Sequence, residues 1–257
     1  MTTAPAASIA FDFSGRCAIV TGAAGTLGSE AVAQLAGAGA RVLAVDYNGD
    51  AVRDVADRLT QQGFAVTPFQ ADVRDPDDVR AYAMAGAELG GGSIDMFFNN
   101  AGVEGSLATI GDIAIDDFQR VFDVNVTGVL LGLQEVLPRM HAGSAVVNTA
   151  STAALQASPG AGAYISSKHA VLGLTRTAAV ESAERGIRVN AICPGPIEGR
   201  MMRSLDGQRQ KVFSLSEDSQ PGRRYSAPAD VARVVLFLMS DAAVLINGQP
   251  VRVEAGV

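Results

Sequence analysis

Residues 17–46, CAIVTGAAGTLGSEAVAQLAGAGARVLAVD, change character three times. An unbroken apolar run, Cys17–Thr21, leads into a glycine-rich turn. A helical stretch, Thr26–Ala38, follows, and then a second apolar run, Val42–Asp46. Runs this short and this apolar belong to strands buried on both faces. A helix between two of them implies a right-handed crossover joining parallel neighbours.

The alternation persists to the end of the chain. Further strands are predicted at Ala65–Gln70, Ile94–Asn99, Ala145–Thr149, Arg188–Ile192 and Pro250–Val253. The stretches Asp50–Gln62, Pro76–Leu89, Asp116–His141, Ala161–Arg185 and Pro228–Ser240 read as helices. This pattern predicts an α/β fold: a doubly wound parallel sheet of seven strands with helices on both faces, in a single domain over 13–257 after a flexible tail, 1–12. Asp75-Pro76 has the form of an N-cap followed by a proline at the first helical position, and Ala227-Pro228 opens the last helix similarly. Gly63 and Gly186 fall where helix ends want a left-handed residue. The least regular stretch, about 195–225, carries Met201, Met202, Leu205, Val212 and Phe213 among polar residues. It is expected to be a substrate lid, the alternative being an amphipathic surface helix.

At 257 residues the chain can bury a full core without staples, and 48% apolar content agrees. A net charge of −7 lacks the basic face that nucleic acid demands. No run of about 18 consecutive apolar residues is present, so no membrane span is expected. Cys17 and Cys193, far apart, suggest neither a metal cluster nor a disulfide, and a cytoplasmic location is expected.

The first strand runs straight into Thr21-Gly22-Ala23-Ala24-Gly25-Thr26-Leu27-Gly28. Glycines there let backbone approach a pyrophosphate, and the following helix N-terminus supplies free N–H donors. Gly22, Gly25, Thr26, Leu27 and Gly28 are therefore candidate dinucleotide contacts. Asp46, at the end of the second strand, would accept from ribose hydroxyls and repel a 2′-phosphate, which favours NAD over NADP. The other reading of Asp46 is a cap for the next helix. Asp72 could accept from an adenine amino group with Val73 beside the ring. Asn99, Ala101 and Gly102 would line the same crevice at the carboxyl edge of the sheet.

Tyr164 and Lys168 are four residues apart on a predicted helix and so share a face. An ammonium nearby would favour the phenolate and make Tyr164 a usable base. Ser151, at the end of the fifth strand, could hold a substrate oxygen beside it or serve as a turn residue.

Taken together these motifs resemble the short-chain dehydrogenase/reductase family over nearly the whole chain, from about Phe13 to Gly256. The resemblance rests on the glycine turn, Asp72, Asn99–Gly102, Asn125 in Asn125-Val126-Thr127-Gly128, Ser151, Tyr164-x-x-x-Lys168 and Pro194-Gly195. It implies a Rossmann-like sheet and a catalytic tetrad of Asn125, Ser151, Tyr164 and Lys168. Tyr164 would be the acid/base, Ser151 the substrate-oxygen ligand, Lys168 the ribose ligand, and Asn125 the anchor of a relay water. Pro194, Gly195 and Ile197 would contact the cofactor, and a homotetramer is implied. The chain departs from the family pattern twice. Gly25-Thr26 stands where a glycine is usual at position 26, and Gly199 stands where a threonine is frequent.

A substrate pocket is expected from Val103, Glu104, Ala153, Leu155, Gln156, Met201, Met202 and Leu205, a mostly apolar set suited to a secondary alcohol or ketone. The alternatives are a 3-oxoacyl-thioester reductase, which Asp46 disfavours, and a non-catalytic nucleotide sensor.

Overall fold

The structure, a computed structural model, describes residues 10–213 and 225–254. Strands β1 (Cys17–Thr21), β2 (Arg41–Asp46), β3 (Val66–Gln70), β4 (Ile94–Asn99), β5 (Met140–Thr149), β6 (Arg188–Pro194) and β7 (Pro250–Val253) form one parallel sheet. Their order is β3-β2-β1-β4-β5-β6-β7. Helices α1 (Thr26–Gly37), α2 (Gly49–Thr60), α3 (Pro76–Leu89), α4 (Ile115–Phe122), α5 (Gly128–Val136), α6 (Gly162–Ser182), α7 (Arg200–Phe213) and α8 (Pro228–Met239) cross between them. The doubly wound sheet expected from the alternation is the one found.

Strand parity builds two cores. Ala18, Val20, Val42, Ala44, Met96, Phe98, Ala145 and Val147 face a layer made by α1, α2 and α8. Ile19, Leu43, Val45, Phe97 and Val146 face the other layer, made by α3, α5 and α6. Successive side chains of a strand point to opposite faces, so a strand serving both layers must be apolar at every position. The N-terminal boundary lies earlier than expected, because Phe11 packs on the first core and stacks on Phe13 at 6.0 Å.

Two predicted boundaries need correction. The expected helix Asp116–His141 is interrupted by a π-helical turn, Asp123–Thr127, and ended by Pro138 in a short 3-10 turn, so β5 begins at Met140. Proline removes a helical donor and clashes with the preceding turn. By length and composition alone, Ile115–Arg139 is able to cross a membrane. Here it packs on the sheet, with Val121, Asn125, Val129, Leu133 and Val136 buried. The second correction concerns 195–225. The described part of this stretch, read as the least regular, carries a regular helix, α7; 214–224 and the side chains of 209–213 lie outside the described residues.

The caps behave as their chemistry requires. Asp75 accepts from the N–H groups of Asp77 and Asp78, and Asn48, not Asp46, caps α2 through Ala51 N. Gly63 and Gly186 adopt φ of +89° and +70°.

Arg188 is buried at the foot of β6 and donates to the carbonyls of Leu238 and Ser240 at the end of α8, at 2.7 and 3.0 Å. A cation at a helix C-terminus is favourable, and each carbonyl stranded without a donor costs roughly 1–3 kcal/mol. Arg188→Met is expected to destabilise by about 3 kcal/mol on that scale, which lowers Tm by about 6–12 °C for a chain of this size. A thermal scan that moves by less than 2 °C contradicts this account of how α8 is anchored.

Candidate active site

The order of the strands creates the site. The chain winds outward from β1 to β3, then returns across the sheet to β4, so α1 and the loop after β4 diverge at the carboxyl ends of β1 and β4. Open α/β sheets bind ligands at such a switch point. A crevice of about 760 Å³ lies there, running from Asp46 at one end to Tyr164 and Lys168 at the other.

Its first wall is the glycine turn. Gly22 has φ +65°, and a side-chain carbon on it would sit 3.0 Å from the backbone of Ala101. At Gly28 an added Cβ would stand 2.0 Å from the carbonyl oxygen of Gly22, so the turn and the first coil of α1 touch backbone to backbone. No side chain caps α1 and no acid sits in its first turn, in contrast to α2 and α3. Its free N–H donors and partial positive charge face the crevice, which suits a diphosphate. Leu27, Gly25 and Thr26 line the same wall.

The Asp46 carboxylate accepts from Ala24 N and Asn48 N, each at 3.0 Å. A carboxylate offers about four acceptor positions, so two remain for ligand hydroxyls. Asp72 borders the crevice with Val73, and its carboxylate is held by the Arg74 guanidinium, which together with the Arg74 backbone N–H lowers its pKa. Arg74 itself lines the crevice, as does Arg120, which pairs with Asp117; sequence reasoning named neither. Ala101, Gly102, Pro194, Gly195 and Ile197 also border it.

Asn99 is a correction. Its side chain is buried and donates to Val129 O at 3.0 Å, on the α5 side of the sheet, away from the crevice. The crevice residue is Asn100, whose side chain donates to Thr21 O and accepts from Thr149 Oγ1, joining the ends of β1, β4 and β5. Strand parity would have found this, since Phe97 and Asn99 share a face.

At the far end four side chains converge. Lys168 is buried on α6 and its Nζ donates to Thr149 O at 2.8 Å, 5.6 Å from the centre of the Tyr164 ring. Burial pulls its pKa down to about 8, against an opposing pull from Cys193. Burial pushes the Tyr164 phenol above its ordinary value; the hydrogen bond from Ser151 acts the other way, and the charge of Glu104 raises it further. The expected lowering of the Tyr164 phenol by the Lys168 ammonium is therefore not the dominant effect in the protein alone. Ser151 caps a short 3-10 turn, its Oγ accepting from Ala153 N at 3.1 Å. The turn-residue reading of this serine is the one seen, and its hydroxyl also hydrogen-bonds with Tyr164.

Asn125 sits in the π-helical turn and is fully buried. Its Oδ1 accepts from Val103 N and its Nδ2 donates to Val103 O and to Ser167 Oγ. Both amide protons are thus engaged, so the side chain clamps the loop after β4 onto α6. Ser167 in turn donates to Tyr164 O. Gly102 is the meeting point, since a Cβ there would lie 3.2 Å from Asn125 Oδ1 and 3.3 Å from Lys168 Nζ.

The wall facing Tyr164 is formed by Val103, Ala153, Gln156, Met201, Met202 and Leu205. Leu155 is 44% exposed and turned away, a second correction. Glu104 is absent from the lining, although its charge reaches Tyr164. Gln208 on α7 accepts from Leu107 N at 2.9 Å, tying the helix across the crevice to the loop after β4.

A parallel sheet with a dinucleotide-type crevice and a Ser–Tyr–Lys cluster at its floor defines a class of oxidoreductase folds. Comparison with known proteins narrows it. A family model described as enoyl-(acyl carrier protein) reductase matches residues 22–257. The chain is 36% identical to levodione reductase of Leifsonia aquatica, covering 95% of this chain and 94% of that protein. With cyclohexanol dehydrogenase of an Acinetobacter species it shares 33% identity over 92% of each. The crystal structure of levodione reductase superposes with a TM-score of 0.87 at 34% identity, covering 94% of this chain and 96% of that one. That of NAD+-bound xylitol dehydrogenase gives 0.87 at 31%, covering 95% and 99%. The chain belongs to the short-chain dehydrogenase/reductase family and is an oxidoreductase of that family.

Proposed function

We propose that this oxidoreductase interconverts a secondary alcohol and a ketone using NAD(H), with Tyr164 as the acid/base. The observation that carries the reading is the spacing of the crevice, with Asp46 at one end and Ser151, Tyr164 and Lys168 gathered at the other. The residues fit the cofactor: an uncapped helix N-terminus beside glycines that admit no side chain, and a carboxylate with two acceptor positions to spare. Gly22, Leu27 and Gly28 would hold the diphosphate, Asp46 the adenosine ribose, and Lys168 the nicotinamide ribose. NAD supplies the hydride acceptor when bound, and NADH the donor.

The chain's own residues manage the proton. Ser151 donates to the substrate oxygen and, in the transition state, to the alkoxide-like charge that grows there. Tyr164 removes the hydroxyl proton in oxidation and returns it in reduction. Lys168, cationic below about pH 8 in the protein alone, offsets the phenolate charge. Asn125 positions the loop and α6 that carry these groups.

Met201, Met202, Leu205 and Ala153 favour an apolar substrate body, with Gln156 available to one polar substituent. Cyclohexanol dehydrogenase carries a cyclic secondary alcohol in its name and levodione reductase a dione, which supports a ring-bearing alcohol or ketone as substrate here. We also propose α7 as the substrate lid, and assembly of several copies through the exposed Val244 and Leu245 beside β7.

The deciding assay is NADH formation from NAD with cyclic, linear and aryl secondary alcohols, run beside NADP and a 3-hydroxyacyl thioester. Turnover is expected with NAD and a cyclic alcohol. Activity on the thioester alone, or on nothing while NADH still binds, overturns the alcohol reading. Asp46 should make NAD about 100-fold more efficient than NADP, the equivalent of about 3 kcal/mol of like-charge repulsion. Asp46→Asn, which removes the charge and keeps the size, should narrow that ratio at least tenfold on the same scale. An unchanged ratio places cofactor choice elsewhere.

A further inference from the structure

The two positions at which the sequence departs from the family pattern are the two ends of one contact. Thr26 is the first residue of α1, on the glycine turn; Gly199 immediately precedes α7. Both line the crevice. A Cβ added to Gly199 would lie 2.7 Å from Thr26 Oγ1 and 3.1 Å from both Thr26 Cβ and Cγ2. The first of these separations is one that real side-chain carbons essentially never show. Thr26 is β-branched and stiff about χ1, which leaves it little room to swing aside. The turn's side chain therefore occupies the space that any side chain at 199 would need.

We infer that Thr26 and Gly199 form an interlock that positions the start of α7 over the diphosphate end of the crevice, and that this pair sets the affinity for the cofactor. The inference rests on the dinucleotide reading of the crevice. At its start α7 meets the crevice where Thr26 abuts the backbone of Gly199. Its other tie, Gln208 to Leu107 N, lies beyond the substrate-facing Met201, Met202 and Leu205. The two ends thus serve different ligands. Enlarging residue 199 while Thr26 stays drives α7 away from the turn. Removing the Thr26 side chain leaves α7 unsupported above the phosphates. Changing both exchanges which side of the contact carries the bulk and restores the spacing. Neither residue is catalytic; both are positioning residues.

The test is a double-mutant cycle on the full chain with Thr26→Gly, Gly199→Ala and the double variant. The readouts are NADH dissociation constant by fluorescence and Tm without cofactor. Gly199→Ala should weaken NADH binding roughly tenfold, the usual size of an overpacking penalty. The double variant should bind NADH within about twofold of wild type and better than either single variant, which is the non-additivity expected of residues in contact. Gly199→Ala should weaken NADH binding as much in a chain carrying Thr26→Val, which keeps the bulk and drops the hydroxyl, as in one with Thr26 unchanged, and a penalty that disappears there assigns the contact to the hydroxyl and overturns the interlock. Additive effects in both readouts overturn it too. Coupling in Tm with NADH affinity untouched by Gly199→Ala reduces the pair to packing and overturns its positioning role. Coupling in Tm in a protein that binds no NADH leaves the contact standing and sinks the dinucleotide reading instead.

Discussion

Tyr164→Phe is expected to lower kcat by about 10³-fold while NADH binding stays near wild type. Phenylalanine keeps the ring that packs beside Lys168 and removes only the oxygen that hydrogen-bonds with Ser151. Nothing else described at the crevice floor combines an exchangeable proton with that position. Ser151 is an alcohol tied to Ala153 N, and Lys168 is committed to Thr149 O. The pH profile supplies a second reading of the same variant. Oxidation needs the phenol to have lost its proton, so the rate climbs with pH. Reduction needs the proton in place, so that rate falls as pH rises. Burial raises the Tyr164 phenol in the protein alone, which carries the climb toward the alkaline side. In Tyr164→Phe both slopes should vanish. A variant that keeps full turnover, or keeps the wild-type slope, removes Tyr164 from the mechanism.

Gly28→Ala is expected to weaken NADH binding by about 100-fold. The added carbon would sit 2.0 Å from Gly22 O and 2.8 Å from its carbonyl carbon. Overpacking costs about 1–3 kcal/mol even where side chains can yield, and here the obstacle is backbone, so the upper end applies and converts to about 100-fold. The turn must open to admit the carbon, and opening moves the α1 N–H donors off the diphosphate. Thr21 also fastens this region to the next strand, accepting from Asn100 N at 2.9 Å, so the shift cannot be absorbed on that side without breaking a bond. Isothermal titration with NADH measures the loss, and a change below threefold means that the turn does not hold the phosphates.

Features set by local pattern were legible in the chain. The seven strands could be located because both faces of the sheet are covered, which leaves an unbroken apolar signal. The glycine turn, Asp46, Ser151, Tyr164 and Lys168 were recognisable by type and spacing. What could not be read depends on partners distant in sequence or on small shifts of parity. The π-helical turn leaves no compositional trace, so one long helix was expected where two are found. Asn99 and Asn100 differ only in which face they present. The Arg74 grip on Asp72 needs the loop geometry after β3. Thr26 and Gly199 looked like two unrelated departures until the crevice brought them together. For α7, the polar composition around Met201 and Met202 hid a regular helix.

The return of the chain from β3 to β4 carries a consequence for how the protein comes to exist. Ala18 must find Met96, and Val20 must find Phe98, before the crevice has a floor. The crevice is then completed by groups as late as Glu254. Such distant pairings are slow, because the entropy of closing a long loop is spent before any contact rewards it. A chain emerging from the ribosome can assemble β1, α1, β2, α2 and β3 early, yet it leaves one flank of β1 bare until β4 arrives. Cofactor capture therefore marks completion, and a dinucleotide that binds only the finished crevice raises the apparent stability of the whole molecule with the logarithm of its concentration.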